Sequence, residues 1–316
     1  MIFYPPSYKE YPIVNLITYD VNYNHILCLK GGYIMINEGS SFKNIRQSRK
    51  ITQKDICKQK ISRTTLSKFE NNKIMLSMAN FNYLLNSIDV SFEEFNFIEN
   101  GYSYKDKEQI IYFFNKIFSN SDLKYLDNLI TLCDNYLDDN FSKSIKCIRS
   151  TLYMLKHIAD STDSKLNCQS KLYAADVWNE LSKVDSWTIL DIKIINCCLH
   201  FFDPNTYPLI SKQLIKSLDK YKNFSNIILL ETSIYLNLTL LFSLQNDKKS
   251  ALLFSKKALD KSFQSKRIDY ISISLIRYGL LSNQKGKIND GLNILKLLND
   301  ESLYKVVKEE VDTFVI

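Results

Sequence analysis

From residue 40 onward, apolar side chains return every third or fourth position, the spacing that gathers one face of a helix for burial. Phe42, Ile45 and Arg49 share a face of the first helix, and the chain breaks around residues 50–51. Thr52 is suited to cap a second helix over 53–58, with Ile56 turned inward. A short turn through Lys60 and Ile61 reaches Ser62, another cap, and a third helix over 63–70. That helix buries Leu66 and Phe69 while projecting Arg63, Thr64, Thr65 and Lys68. Two further short helices, 77–88 and 91–98, each open on a serine. The pattern predicts five helices in about sixty residues, with a tight turn between the second and third.

Beyond Tyr104 the pattern becomes a succession of longer amphipathic helices. They are expected near 106–118, 122–138, 142–159, 166–184, 187–202, 207–221, 226–245, 248–263, 269–285, 288–298 and 302–314. Pairs recur at about forty residues, the signature of a helical solenoid. The stretches NDKKSALLFSKKAL (246–259) and GKINDGLNILKLL (286–298) look like loose tetratricopeptide (TPR) half-repeats. Such an array buries one continuous core and leaves a concave face that can take an extended peptide. Four polar residues stand in apolar helical runs: Arg149, Asn196, Asn237 and Arg277. A buried polar group needs a partner. Each of the four either bonds between helices or across a dimer interface, or clamps a peptide in the groove. Trp178 and Trp187 read as core.

Composition sharpens this. Seven glycines and five prolines in 316 residues leave few helix breakers, and Pro5, Pro6 and Pro12 are all at the start. Residues 1–34 differ from the rest, with aromatics, strand-like alternation and no helical period. Lys30-Gly31-Gly32 followed by Met35 suggests a purine-rich ribosome-binding tract before a start codon. The expectation is therefore that translation begins at Met35 and that the preceding residues are not native; a genuine short β-extension is the alternative. The expected organisation is an extension over 1–35, a compact helical domain over 36–99, a linker over 100–106 and a helical-repeat domain over 107–316. The fold class is all-α.

The net charge of +7 is unevenly placed. Between Ser41 and Lys73, ten Lys and Arg residues face only Asp55 and Glu70, so this segment alone carries +8. A concentrated cationic segment on a helix-turn-helix is the electrostatic footprint of a phosphate-backbone binder. Seven cysteines, an odd number without CxxC spacing, indicate neither a zinc site nor a disulfide framework, and they read as reduced thiols. No secretory signal pattern opens the chain and no apolar run is read as reaching membrane-spanning length, so the expected location is the cytoplasm. GxxxxGK[ST], HExxH and GxSxG are absent, and no nucleophile–base pair is read at His157 or His200. No catalytic residue, metal or cofactor is expected, and the chain does not read as an enzyme.

The block IRQSRKITQKDICKQKISRTTLSKFE (45–70) closely resembles the DNA-binding domain of Cro/C1-type (XRE) regulators, with a lambda-repressor-like fold. The resemblance implies that Arg46 and Glu70 form a structural ion pair tying the first helix to the third. It implies that Gln53, with Lys54, meets phosphates at the start of the second helix. It also places Arg63, Thr64 and Thr65 where side chains reach base edges in the major groove, and Lys68 one turn on. Asn71-Asn72 stands where a turn with glycine is common, and Asn tolerates the left-handed backbone needed there.

With the segments LLNSIDVSFEEFNFI (84–98), SKVDSWTILDIKIINCCLHFF (182–202) and RYGLLSNQKGKINDGLNIL (277–295), the chain from Ile36 onward resembles the Rgg/GadR/MutR family of regulators. That resemblance implies a homodimer placing two helix-turn-helix units on a two-fold site in double-stranded DNA. For many members it also implies control by a short intracellular signalling peptide, that is, quorum sensing. In some members a cysteine of the DNA-binding domain links the subunits, but Cys57 is not obviously at that position. The alternatives are a regulator answering to a non-peptide signal and a helical-repeat module that binds another protein.

Overall fold

The computed structural model describes residues 38–57, 60–117, 123–160 and 166–314. The expected extension over 1–35, the Met35 start and Lys58 lie outside the described residues. Among the described residues every regular element is helical. They divide into two compact units between Tyr112 and Phe113.

The first unit holds α1 (Glu38–Ser48), α2 (Gln53–Ile56), α3 (Arg63–Glu70), α4 (Met78–Ser87) and α5 (Phe92–Glu99). Capping sets where these helices start. Thr52 and Asp55 form a capping box on α2, and Ser62, Ser77 and Ser91 each accept from the backbone N–H three residues on. The core gathers Phe42, Ile56, Leu66, Phe69, Leu84, Ile88 and Phe95, with Phe69 and Phe81 in edge contact between α3 and α4. Within the face read for α1, Phe42 and Ile45 are buried while Arg49 is exposed, where it pairs with Asp89. The second helix ends at Ile56, two residues before the expected 58. Residues 100–106 do not separate the units as an open linker. Tyr102 and Tyr104 pack on Phe97, and Tyr104 packs on Tyr112, so aromatic contacts hold the segment to the first unit. The division falls inside α6 (Asp106–Phe114).

The second unit is a TPR-like helical array. It contains α7 (Leu123–Asp139), α8 (Lys143–Asp160), α9 (Leu166–Leu181), α10 (Ile189–Cys198), α11 (Tyr207–Lys220), α12 (Ile227–Leu244), α13 (Lys248–Ser265), α14 (Ile268–Leu281), α15 (Lys285–Leu297) and α16 (Glu301–Phe314). Successive helices pack on each other (α7 on α8, α8 on α9, and α12 through α16 in turn), while α8, α10, α12, α14 and α16 also touch as every-other neighbours. Small residues permit the close approaches. Gly291 of α15 lies against α14, so a Cβ there would come within 2.7 Å of the Ser272 carbonyl. Ala251 and Ala258 of α13 are fully buried. The helix read over 187–202 ends at Cys198, continues as a 3-10 turn (Leu199–Phe201), and starts at the capping box of Thr188 and Asp191.

In contrast to the sequence reading, α12 is long and apolar enough, by length and composition, to cross a membrane. With 72% of that stretch buried, it is the central core helix of the array, apolar on all sides because neighbours cover all sides.

Candidate functional site

The candidate nucleic-acid surface is built on α2 and α3. Its framework is one buried carboxylate. Glu70, at the end of α3, accepts from Arg46 Nε (2.6 Å) and Nη2 (2.9 Å), a bidentate pair. Arg46 Nη1 also donates to the Ile51 carbonyl at 2.7 Å, fixing the turn after α1. The same carboxylate accepts from Gln53 Nε2 at 2.9 Å. Three helices thus converge on Glu70, and the half-buried Gln53 amide is held in one orientation at the first residue of α2.

A second latch joins the ends of α1 and α3. Asn72 adopts a left-handed backbone (φ 55°), and its side-chain oxygen accepts from the Gly39 and Ser40 amides at 3.0 and 3.3 Å. Tyr83 of α4 donates to the Ile56 carbonyl at 2.8 Å, holding α2 from the other side. Sequence reasoning missed these two contacts, since neither has a local signature.

On this frame, Arg63, Thr64 and Lys68 are exposed along α3, and Lys54 is exposed on α2. No ion pair among the described residues engages Lys54, Arg63 or Lys68, so their charges are unspent. Thr65 differs. Its hydroxyl lies 2.8 Å from the Ser62 hydroxyl, and its amide donates to that oxygen at 3.0 Å, which ties Thr65 into the cap of α3. Burial, then the Glu70 charge, pushes the Cys57 thiol above its ordinary range, so it stays protonated and a weak nucleophile.

The four polar residues singled out in the helical domain do not converge. Asn196 Nδ2 donates to Ser233 Oγ at 3.0 Å, and Asn237 Nδ2 donates to Asn196 Oδ1 at 3.1 Å, a buried chain between α10 and α12. At 2% and 0% exposure, neither amide is presented to a groove, and a peptide clamp at these two positions does not fit. Their bonds run between helices instead. Arg149 on α8 pairs with Asp134 of α7 at 2.9 Å, partly exposed. Arg277 on α14 is buried; its Nε and Nη2 meet the Glu310 carboxylate of α16 at 2.7 and 2.8 Å, and its Nη1 donates to the Leu236 carbonyl at 2.8 Å. Arg277 and Glu310 also line a cavity of about 270 Å³. Trp187 is fully buried and donates to the Leu181 carbonyl at 2.9 Å.

Among the described residues, Cys57, Cys133, Cys147, Cys197 and Cys198 are free thiols. Burial pushes Cys133, Cys147 and Cys198 up to about 12.

A helix-turn-helix family model matches residues 42–95, and the model of the C-terminal domain of the HTH-type transcriptional regulator Rgg matches residues 149–309. No curated protein sequence matches the chain. Among solved structures, a candidate transcriptional regulator from Listeria monocytogenes EGD-e superposes with a TM-score of 0.70 at 21% identity, over 88% of this chain and 97% of that one. The SHP pheromone receptor Rgg2 of Streptococcus dysgalactiae gives 0.65 at 16% identity, over 87% and 99%. PlcR of Bacillus thuringiensis, solved in complex with the peptide PapR7 and DNA, gives 0.60 at 16% identity, over 88% and 99%. These likenesses extend across both units and establish a shared fold.

Proposed function

The chain belongs to the Rgg family of helix-turn-helix transcriptional regulators, and on that premise we propose that it is a cytoplasmic, homodimeric, sequence-specific DNA-binding regulator controlled by a short signalling peptide. The observation that carries the DNA reading is the set of unspent cations, Arg63 and Lys68 on α3 and Lys54 on α2, on a frame locked by the Arg46–Glu70–Gln53 network. In this reading α3 enters the major groove, with Arg63 and Thr64 at base edges. Thr65, which caps the helix, contributes at the same end. Gln53 offers its remaining N–H to a phosphate, and Lys54 and Lys68 contact the backbone. The homodimer sets two such helices on a two-fold operator.

The peptide part is supported by the relatives of the same fold: Rgg2 is described as a pheromone receptor, and PlcR was solved with both its peptide and DNA. In the helical unit, two of the positions singled out in sequence stay open to such a ligand: the partly exposed Arg149, and Arg277 on the wall of a cavity. Control works as a population shift: a peptide that binds one dimer arrangement better than another moves the DNA affinity by the difference.

Fluorescence anisotropy of the purified protein on its own upstream DNA and on scrambled DNA, at two salt concentrations, tests this. Preference for the native sequence with a steep salt dependence is expected. Equal weak binding to both, with and without short apolar peptides, would sink the reading.

A further inference from the structure

We propose that the cavity between α12, α14 and α16 is a carboxylate site, which takes the C-terminal residue of a short apolar ligand beside Arg277 and Lys248. This rests on the peptide reading for the identity of the ligand, though not for the chemistry of the site. The cavity, about 270 Å³, lies where the C-terminal ends of α12 and α14 meet α16. Leu240, Leu280 and Leu281 form its apolar walls, and Lys248, Arg277 and Glu310 are its charged groups.

The charge balance decides what fits. Arg277 and Glu310 neutralise each other at 2.7 and 2.8 Å, whereas Lys248 makes no ion pair among the described residues. The charged lining therefore sums to one positive charge. A ligand with one carboxylate brings it to zero. A neutral ligand leaves Lys248 uncompensated as it displaces water, and a cationic one adds repulsion.

Arg277 supplies the geometry. A guanidinium has five N–H donors in a planar fork, and the bonds to Glu310 and Leu236 use three of them. One hydrogen on each terminal nitrogen remains. The fork is held rigid by its existing bonds, so a carboxylate that meets it does so without first ordering a flexible side chain. The leucine walls suit the aliphatic side chain that a terminal residue carries next to its carboxylate. Glu310 is the group that opposes the ligand, because two carboxylates then share one guanidinium. Occupancy of the cavity thereby loosens the hold of α14 on α16, and Glu310 sets how tightly the ligand binds.

Free aliphatic carboxylic acids share this chemistry with a peptide C-terminus, so both sources are tested. The first probe is N-acetyl-leucine against its C-terminal amide, titrated into the full-length protein by calorimetry and ligand-observed NMR. The acid is expected to bind at least about tenfold more tightly than the amide. Lys248→Met, on an exposed side chain at the start of α13, should weaken the acid by about two- to fivefold and leave the amide unchanged. Glu310→Gln, which keeps the shape and removes the charge, should tighten the acid severalfold. Circular dichroism confirms that both variants stay folded.

Equal affinity for acid and amide, no binding of the acid, or a Lys248→Met variant that binds the acid like the parent would overturn the assignment. The second arm repeats the comparison with short apolar peptides ending in a free carboxylate or an amide, with DNA affinity as the readout. Peptides that shift DNA affinity equally as acid and amide would uphold peptide control and remove it from this cavity. N-acetyl-leucine bound with the expected variant effects, alongside peptides without any effect on DNA, would uphold the carboxylate site and sink the peptide reading.

Discussion

His200 carries two ring nitrogens that solvent does not reach and that bond nothing among the described residues, although the residue as a whole is half-buried. Burial, reinforced by the neighbouring Arg277 charge, pushes its pKa down to about 3. The imidazole is therefore neutral in the folded protein wherever the protein is folded. The unfolded chain takes up that proton near pH 6.5. Stability on this account is full above pH 6.5 and falls as the pH drops from there towards 3, by up to about 1.4 kcal/mol per unit. His200→Leu should flatten this slope relative to the parent, and thermal melts between pH 7 and 4.5 would show it. Parallel slopes in the two proteins would mean that His200 takes up a proton in the fold. A second residue-scale expectation concerns Glu70. Its removal strands the Arg46 guanidinium in the core and releases Gln53, so Glu70→Ala should cost about 3–5 kcal/mol in chemical denaturation. A cost below about 1 kcal/mol would mean that water reaches Arg46 easily.

At the scale of elements, helix starts were legible in the sequence and several helix ends were not. Ser62, Ser77, Ser91 and Thr188 stand where a cap is needed, and a cap is a contact three residues long. The ends pose a different problem in a chain with so few glycines. Asn72, Asn246, Asn283 and Asn299, two residues past α3, α12, α14 and α15, take the left-handed backbone that glycine usually supplies. Contacts between distant helices were not legible either. Arg277 in an apolar run signals a buried partner, but nothing marks Glu310, 33 residues on, as that partner. Likewise Asn237 donates to Asn196 across 41 residues, which periodicity cannot reveal because it orients each helix separately. Gly39 offers an element-scale test. It sits where α1 crosses the end of α3, and a Cβ there would lie 1.8 Å from the Phe69 carbonyl oxygen, too close to be accommodated without moving a helix. Gly39→Ala gains about 1 kcal/mol of helix propensity, yet it should lower stability overall by about 1–3 kcal/mol. A variant as stable as the parent in urea would show that the α1–α3 crossing yields cheaply.

For the whole molecule, the charge segregation read from sequence and the two-unit structure support one division of labour. The densest run of cations, net +8, lies in residues 41–73 of the first unit, where among the described residues only Arg46 is buried and neutralised, while the longer helical unit spreads a net +4 over residues 113–316 and spends buried polar residues on its own joints. Under the proposed dimer, each substitution on α2 or α3 acts twice on a two-fold operator and once on an isolated half-site. Arg63→Ala, placed at a base edge, should cost about 1–3 kcal/mol on a half-site and about twice that on the full site, with loss of preference over scrambled DNA. Lys54→Ala, placed at a phosphate, should weaken native and scrambled DNA alike and lower the slope of log K against log salt by about 1 on a half-site and about 2 on the full site. Salt titrations of the two variants on matched full and half sites separate these effects. If Arg63→Ala weakened all sequences equally, Arg63 would be a phosphate contact and α3 would sit differently in the groove. If neither effect doubled on the full site, the protein would bind its operator with one helix-turn-helix unit at a time, and control through a shift between dimer arrangements would have no purchase on DNA affinity.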